Sequence, residues 1–202
     1  MTAIAPLIIS LPIRTQLHRV VVAARGTDGA LFYGPAPGHP PSGRFDSATG
    51  AFRGCYLADT RRGAFAESLL RKATPPDVTS GIRSLAASDI AASAWASTTT
   101  TRSLRLADLR DGQGLAPLGL TGAVTMGDTH DAGRALSDSL HQLRPRLDGL
   151  YFRTRHDPAE YAIALFDRAT SALRLVTALT PLQEDIVALG MYLDWYRIAL
   201  DD

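Results

Sequence analysis

The sequence predicts an α+β fold in a single compact domain, on three observations. At 202 residues the chain is long enough to bury a real core and short enough to need only one. β-Branched and alternating runs that read as strands are interspersed with capped, helix-periodic stretches. The two kinds of element follow one another without the regular alternation of a doubly wound sheet.

The elements follow in order. The opening apolar run from Ile4 to Ile13 is interrupted by Pro6 and Pro12, and reads as an extended lead-in packed on the core. His18–Ala24 (HRVVVAA) is a β-branched strand. A Gly- and Pro-rich loop follows from Gly26 to Ser42, and a loop this long inside a domain is usually functional. GRFD, from Gly43, and Gly54–Asp59 read as a short strand pair. Thr60 caps a helix over about 61–72, with Ala64, Phe65, Leu69 and Leu70 inward, and Pro75 and Pro76 stop it.

An alanine- and serine-rich stretch leads to a strand at Ser103–Leu109 and a turn-rich loop, DGQGLAPLGL. A helix over 131–143 precedes two strands, Asp148–Arg155 and Tyr161–Asp167, paired as a hairpin around HDPAE. Thr180, Pro181 and Gln183 form a helix start. The final helix then runs over about 181–200, with Ile186, Leu189, Leu193, Tyr196 and Leu200 on one stripe.

Composition narrows the function classes. A net charge of +1 gives no support to a nucleic-acid footprint. No segment reaches the roughly 18 apolar residues of a membrane helix, and no basic residue precedes the first apolar run, which argues against a signal peptide. One cysteine, Cys55, excludes an internal disulfide and fits the reducing cytoplasm. Lys72 is the only lysine, so the cationic side chains are arginines, whose planar forks suit phosphate and carboxylate. A GC-rich genome would give the same bias.

Common catalytic signatures are missing. There is no P-loop, and Gly112-x-Gly114 continues to Pro117 instead of a dinucleotide fingerprint. The histidines lack H-E-x-x-H spacing, a lone cysteine makes no zinc cage, and no G-x-S-x-G elbow occurs. A nucleotide, if one is used, must be held by arginines, hydroxyls and aromatics.

Three patches remain: Gly43–Leu70, carrying Arg-Phe-Asp, Tyr-Leu-Ala and Ala-Phe-x-Glu; Leu106–Leu120; and Leu147–Ala169. Their content and order resemble the RES-domain family, named for an arginine, a glutamate and a serine. The resemblance covers roughly 17–169, with the final helix compatible. It implies a fold similar to ADP-ribosyltransferases, with NAD consumed or its ADP-ribose moved to a target. By position the family arginine falls on Arg44, the glutamate on Glu67, a family tyrosine on Tyr56 and an early strand arginine on Arg19. The family serine falls on Thr154, a departure that keeps the hydroxyl but adds a methyl and stiffens χ1.

NAD presents a dianionic pyrophosphate, a cationic nicotinamide and an anomeric carbon that becomes oxocarbenium-like. Arg19 and Arg44 suit the pyrophosphate through charge-assisted forks. Tyr56 suits the nicotinamide face, a contact worth about 0.5–2 kcal/mol. Glu67 suits the ribose hydroxyls and the charge developing at the anomeric carbon. Thr154 suits the nicotinamide ribose or carboxamide. Arg153, Arg155 and His156 read as structural or solvated, and Tyr33 and Gly34 as lining the entrance.

Three functions stay open: NAD degradation by water or phosphate, ADP-ribosyl transfer to a protein such as phosphoribosyl pyrophosphate synthetase, and a non-catalytic binding module. The resemblance also implies an Xre-type antitoxin partner that covers the cleft or inserts a segment near Arg44. The chain itself lacks a helix-turn-helix signature or basic stripe and is not expected to read DNA.

Overall fold

The computed structural model describes residues 5–27, 31, 34 and 39–202. The strands are β1 (Ile8–Leu11), β2 (Gln16–Val22), β3 (Gly54–Ala58), β4 (Arg83–Ala86), β5 (Ser93–Thr100), β6 (Leu104–Leu109), β7 (Gly149–Arg153), β8 (Tyr161–Phe166), β9 (Leu173–Leu175), β10 (Thr180–Pro181) and β11 (Ile198–Asp201). A nine-stranded sheet runs in the order β1-β6-β7-β8-β3-β2-β5-β10, with β9 also on β5, while β11 and β4 form a separate parallel pair. Within the large sheet β6 and β7 are parallel and the other pairings antiparallel. The parallel step requires a crossover, and the Asp131–Leu143 helix lies on it. The expected α+β class holds.

Side-chain alternation builds the layers. Along β8, Ala162, Ala164 and Phe166 join one apolar cluster, while Ile163 and Leu165 join another. The first cluster includes Leu136 and Leu140 of the Asp131–Leu143 helix, together with Phe45 and Phe152. The Arg61–Leu70 helix packs farther along the sheet, with Val20 and Ala58 beneath it and Leu189, Tyr192, Leu193 and Tyr196 of the last helix against it. Leu17, Cys55 and Leu57 face the other cluster with Leu104 and Leu106.

The sheet consists of two blocks. β3 pairs with β8 at five register positions and β2 with β5 at seven, but β2 and β3 meet at one, His18↔Ala58. That single rung leaves a break between the blocks, and a cavity opens there.

Several expectations change. The helix after Thr60 is α-helical only over Arg61–Phe65 and π-helical over Ala66–Leu70. GRFD is a turn, not a strand. The alanine- and serine-rich stretch hides β5, whose Ser93, Ser97, Thr98 and Thr100 are buried polar residues. Small polar side chains give no hydrophobic alternation, so this strand is set by its neighbours. The last helix spans only Ile186–Trp195, because Thr180–Pro181 pairs with β5. Asp185 caps it, and Arg197, at φ 53°, turns the chain into β11. Ile186 and Leu200 are therefore exposed rather than on an inner stripe. The lead-in forms edge strand β1, and the β7–β8 hairpin forms as expected.

Candidate active site

The cavity at the break has a volume of about 460 Å³ and is lined by Arg19–Val22 of β2 and by Gly54, Tyr56 and Leu57 of β3. This lies within the usual range for small-molecule sites. Arg19, Arg44, Tyr56 and Glu67 all line it.

Arg44 is delivered by the turn after Ser42. Asp46 closes that turn, its Oδ2 accepting from Ser42 N (2.9 Å) and Gly43 N (2.6 Å). Tyr56 clamps it from β3. Its hydroxyl accepts from Phe45 N at 2.8 Å and donates to Asp46 Oδ1 at 3.0 Å. Burial and the Asp46 charge push the Tyr56 phenol well above its ordinary value, so the hydroxyl stays protonated as this donor. Gly43 is needed because a Cβ there would sit 2.4 Å from that hydroxyl. Gly133 of the crossover helix allows close approach on the other side, where a Cβ would come within 2.7 Å of Arg44 O.

The Arg44 side chain is buried, and two backbone carbonyls hold its guanidinium: Nη1 donates to Thr129 O (2.9 Å) and Nη2 to Gly127 O (2.6 Å). Among the described residues no carboxylate pairs with it at salt-bridge distance. Burial and then Arg155 pull its pKa down. A guanidinium has five donors, so this one is fixed in place with donors to spare. A buried cation beside another cation favours an incoming anion.

Glu67 sits on the π-helical segment, a distortion often found at functional sites. It is partly buried, and loss of hydration raises its carboxyl above the usual range. Arg71, the backbone N–H of Arg155 and Arg44 oppose that rise. Asp46 is spent on its own turn, which leaves Glu67 as the other acid on the cavity wall.

Two predicted residues behave differently. Arg19 reaches the cavity wall, but alternation places it on the face of Leu17, and its Nη1 lies 3.4 Å from Cys55 Sγ. His18, on the Tyr56 side of the sheet, also lines the cavity, with Nδ1 3.1 Å from Ser97 Oγ. Thr154 does not line the cavity. It is fully buried, its Oγ1 donates to Asp157 O (2.6 Å) and it accepts from Asp157 N (3.2 Å). The hydroxyl closes a turn instead of facing a ligand.

The residues after it, assigned above to structural or solvated roles, do reach the site: Arg155 and His156 line the cavity. Arg155 Nη1 shares the Gly127 carbonyl with Arg44 at 3.3 Å, and its Nη2 pairs with Asp128. His156 lies at the exposed rim. Loss of hydration and then the charges of Arg155, Arg71, Arg83 and Arg44 nevertheless lower its pKa to about 4, so it is neutral near pH 7. His130 is lowered likewise, by burial and then by Arg44. The available sequence signal was the basic pair at the hairpin end, next to the position matched to the family serine. Gly34 reaches the wall and bridges Gly54 through 3.0 Å backbone bonds, whereas Tyr33 lies outside the described residues.

The result is a pocket with a strongly cationic wall (Arg25, Arg44, Arg71, Lys72 and Arg155 among its residues), to which Glu67 and the aromatic Tyr56 also contribute. Such a site suits a phosphate-bearing ligand whose other end carries hydroxyls or a positive charge.

A search of curated proteins finds no match to the sequence. Among solved structures, the fold is similar to a chain of the crystal structure of the M. tuberculosis MbcT–MbcA toxin–antitoxin complex. The TM-score is 0.59 at 18% identity, over 93% of this chain and 91% of that one. A family model described as the RES domain matches residues 16–186. The chain therefore belongs to the RES domain family.

Proposed function

We propose that this protein is the toxin of a toxin–antitoxin pair and that it breaks the nicotinamide–ribose bond of NAD. The observation that carries the reading is the convergence of Arg44, on a turn, and Glu67, on a π-helical segment, on one cavity between the two sheet blocks. Arg44, with Arg155 beside it, binds the pyrophosphate through its remaining donors. Glu67 accepts from the ribose hydroxyls and offsets the positive charge that grows at the anomeric carbon. The Tyr56 ring forms the floor beneath the nicotinamide.

In the reaction the C–N bond breaks, and its electron pair moves onto the pyridinium nitrogen to give neutral nicotinamide. An oxygen of water or phosphate forms the new C–O bond, and its proton passes to Glu67 or to solvent. Glu67 acts in its ionised form. Its raised pKa therefore moves the acid limb of the pH–rate profile above that of an ordinary carboxylate.

The test is release of free nicotinamide from NAD by purified protein, with Glu67→Ala as control. Release no greater than that of the control rejects the reading. Transfer of ADP-ribose to a protein would use the same residues, and labelled NAD in cell lysate separates the two, since transfer yields a labelled protein band. The partner is a small antitoxin of Xre type that blocks the Arg44 side of the cavity. Support for a partner comes from the solved relative, a toxin–antitoxin complex. Growth arrest on induction, relieved by Glu67→Ala, tests the toxin assignment.

A further inference from the structure

Arg155 and His156 occupy the two positions between Thr154 and Asp157. The turn that carries them is closed by the Thr154 hydroxyl and by bonds of Thr154 N to Glu160 O (3.0 Å) and Glu160 N to Asp157 O (2.9 Å). Closure alone does not aim a turn, which also has to be tied to the rest of the molecule. The tie comes from the far end of the chain. Tyr196, at the end of the last helix, donates its hydroxyl to Asp157 Oδ2 at 2.6 Å. Its ring stacks on Phe65, with centroids 5.9 Å apart and planes within 4°, and Phe65 belongs to the helix that continues into Glu67.

A second grip lies beside it. Arg62 pairs with Glu160, approaches Asp157 Oδ2 at 3.6 Å and lies 4.7 Å over the Trp195 ring. Thr60, which caps the Glu67 helix, also donates to Glu160.

We propose that Tyr196 is a positioning residue for the cavity: through Asp157 it fixes the turn that holds Arg155 and His156 against Arg44 and Glu67. Tyr196 touches no ligand, because it is not on the cavity wall. Its hydroxyl acts on the placement of the Arg155 guanidinium and on the Arg155 backbone N–H that faces Glu67. A loosened turn lets Arg155 and His156 move away from Arg44 and Glu67, which weakens the anion subsite more than the chemical step. The kinetic part of this inference rests on the NAD reading above. The structural part does not.

The experiment compares full-length wild type with Tyr196→Phe, which keeps the ring on Phe65 and removes only the hydroxyl. Tyr192→Phe serves as control, since its ring also packs on Phe65 and on Trp95. Two readouts are taken: KM and kcat for nicotinamide release, and the titration of the His156 ring by NMR. Tyr196→Phe is expected to raise KM several-fold with kcat within two-fold of wild type. The His156 pKa should move up from about 4 toward 6.5 as the ring leaves its cationic, poorly hydrated setting. Tyr192→Phe changes neither.

A purely structural tyrosine lowers thermal stability without moving either readout, and that result overturns the proposal. If wild type releases no nicotinamide, the NAD reading fails and the His156 titration alone decides. An unchanged His156 pKa in Tyr196→Phe then overturns the positioning role.

Discussion

Replacing Tyr56 with phenylalanine separates two jobs that the residue combines. The residue lines the cavity, and its hydroxyl also holds the Arg44 turn. Removal of the hydroxyl leaves the N–H of Phe45, a residue only 1% exposed, without its acceptor. An orphaned buried donor costs about 1–3 kcal/mol. Asp46 keeps its bonds to Ser42 N and Gly43 N but loses a donor to a charged oxygen, a bond worth roughly 1.5–3 kcal/mol. One hydroxyl serves both partners, so the losses overlap, and the sum is about 3 kcal/mol. For a domain of this size that lowers Tm by roughly 6–12 °C. The turn that carries Arg44 also loosens, and a loss of about 1 kcal/mol in ligand binding raises KM for NAD roughly five-fold. Differential scanning fluorimetry and nicotinamide release check both effects. A Tm within about 2 °C of wild type would refute the argument that the hydroxyl is the clamp.

Two further outcomes follow from the same site. Gly43→Ala puts a methyl 2.4 Å from the Tyr56 hydroxyl oxygen and 2.8 Å from Asp46 Oδ1. It should cost about 1–3 kcal/mol in urea unfolding and depress nicotinamide release along with it, and a variant as stable and active as wild type contradicts the packing described. His156 sets a pH dependence. Its folded pKa of about 4 lies below the ordinary 6.5, so the unfolded chain binds more protons between those values. Stability therefore rises with pH across that window and is lost as pH falls through it. His18, His130 and His141 are lowered too and share the slope. Urea titrations at several pH values should show a shallower slope for His156→Gln than for wild type, and equal slopes would mean that the imidazole is not held low.

The sequence was informative where a local pattern had a local cause. A β-branched run marked β2, and Thr60, with its hydroxyl accepting from Gly63 N at 2.8 Å, began the helix where a cap should. The ordered motifs around Arg44, Tyr56 and Glu67 pointed to residues that do share a cavity. It was uninformative where the cause lay elsewhere in the chain. β5, rich in small polar residues, is a strand because β2, β9 and β10 pair with it. The last helix begins late because Thr180–Pro181 is drawn into the sheet. Thr154 was matched by its place in a motif, but what its hydroxyl reaches depends on how the chain turns at Asp157.

By itself, then, the amino-acid order determined the residue types of the chemistry, the periodicities that make strands and helices, and the positions of Arg44 and Glu67 within a family pattern. Tertiary structure alone decided that β2 and β3 share one rung and leave a cleft, that Glu67 rides on a π-helical turn, and that Arg155 and His156 face the cavity in place of Thr154. The division has a physical reason. Propensity and periodicity act between neighbours along the chain, whereas a site is made by contacts between distant segments, and those exist only once burial and pairing have brought the segments together.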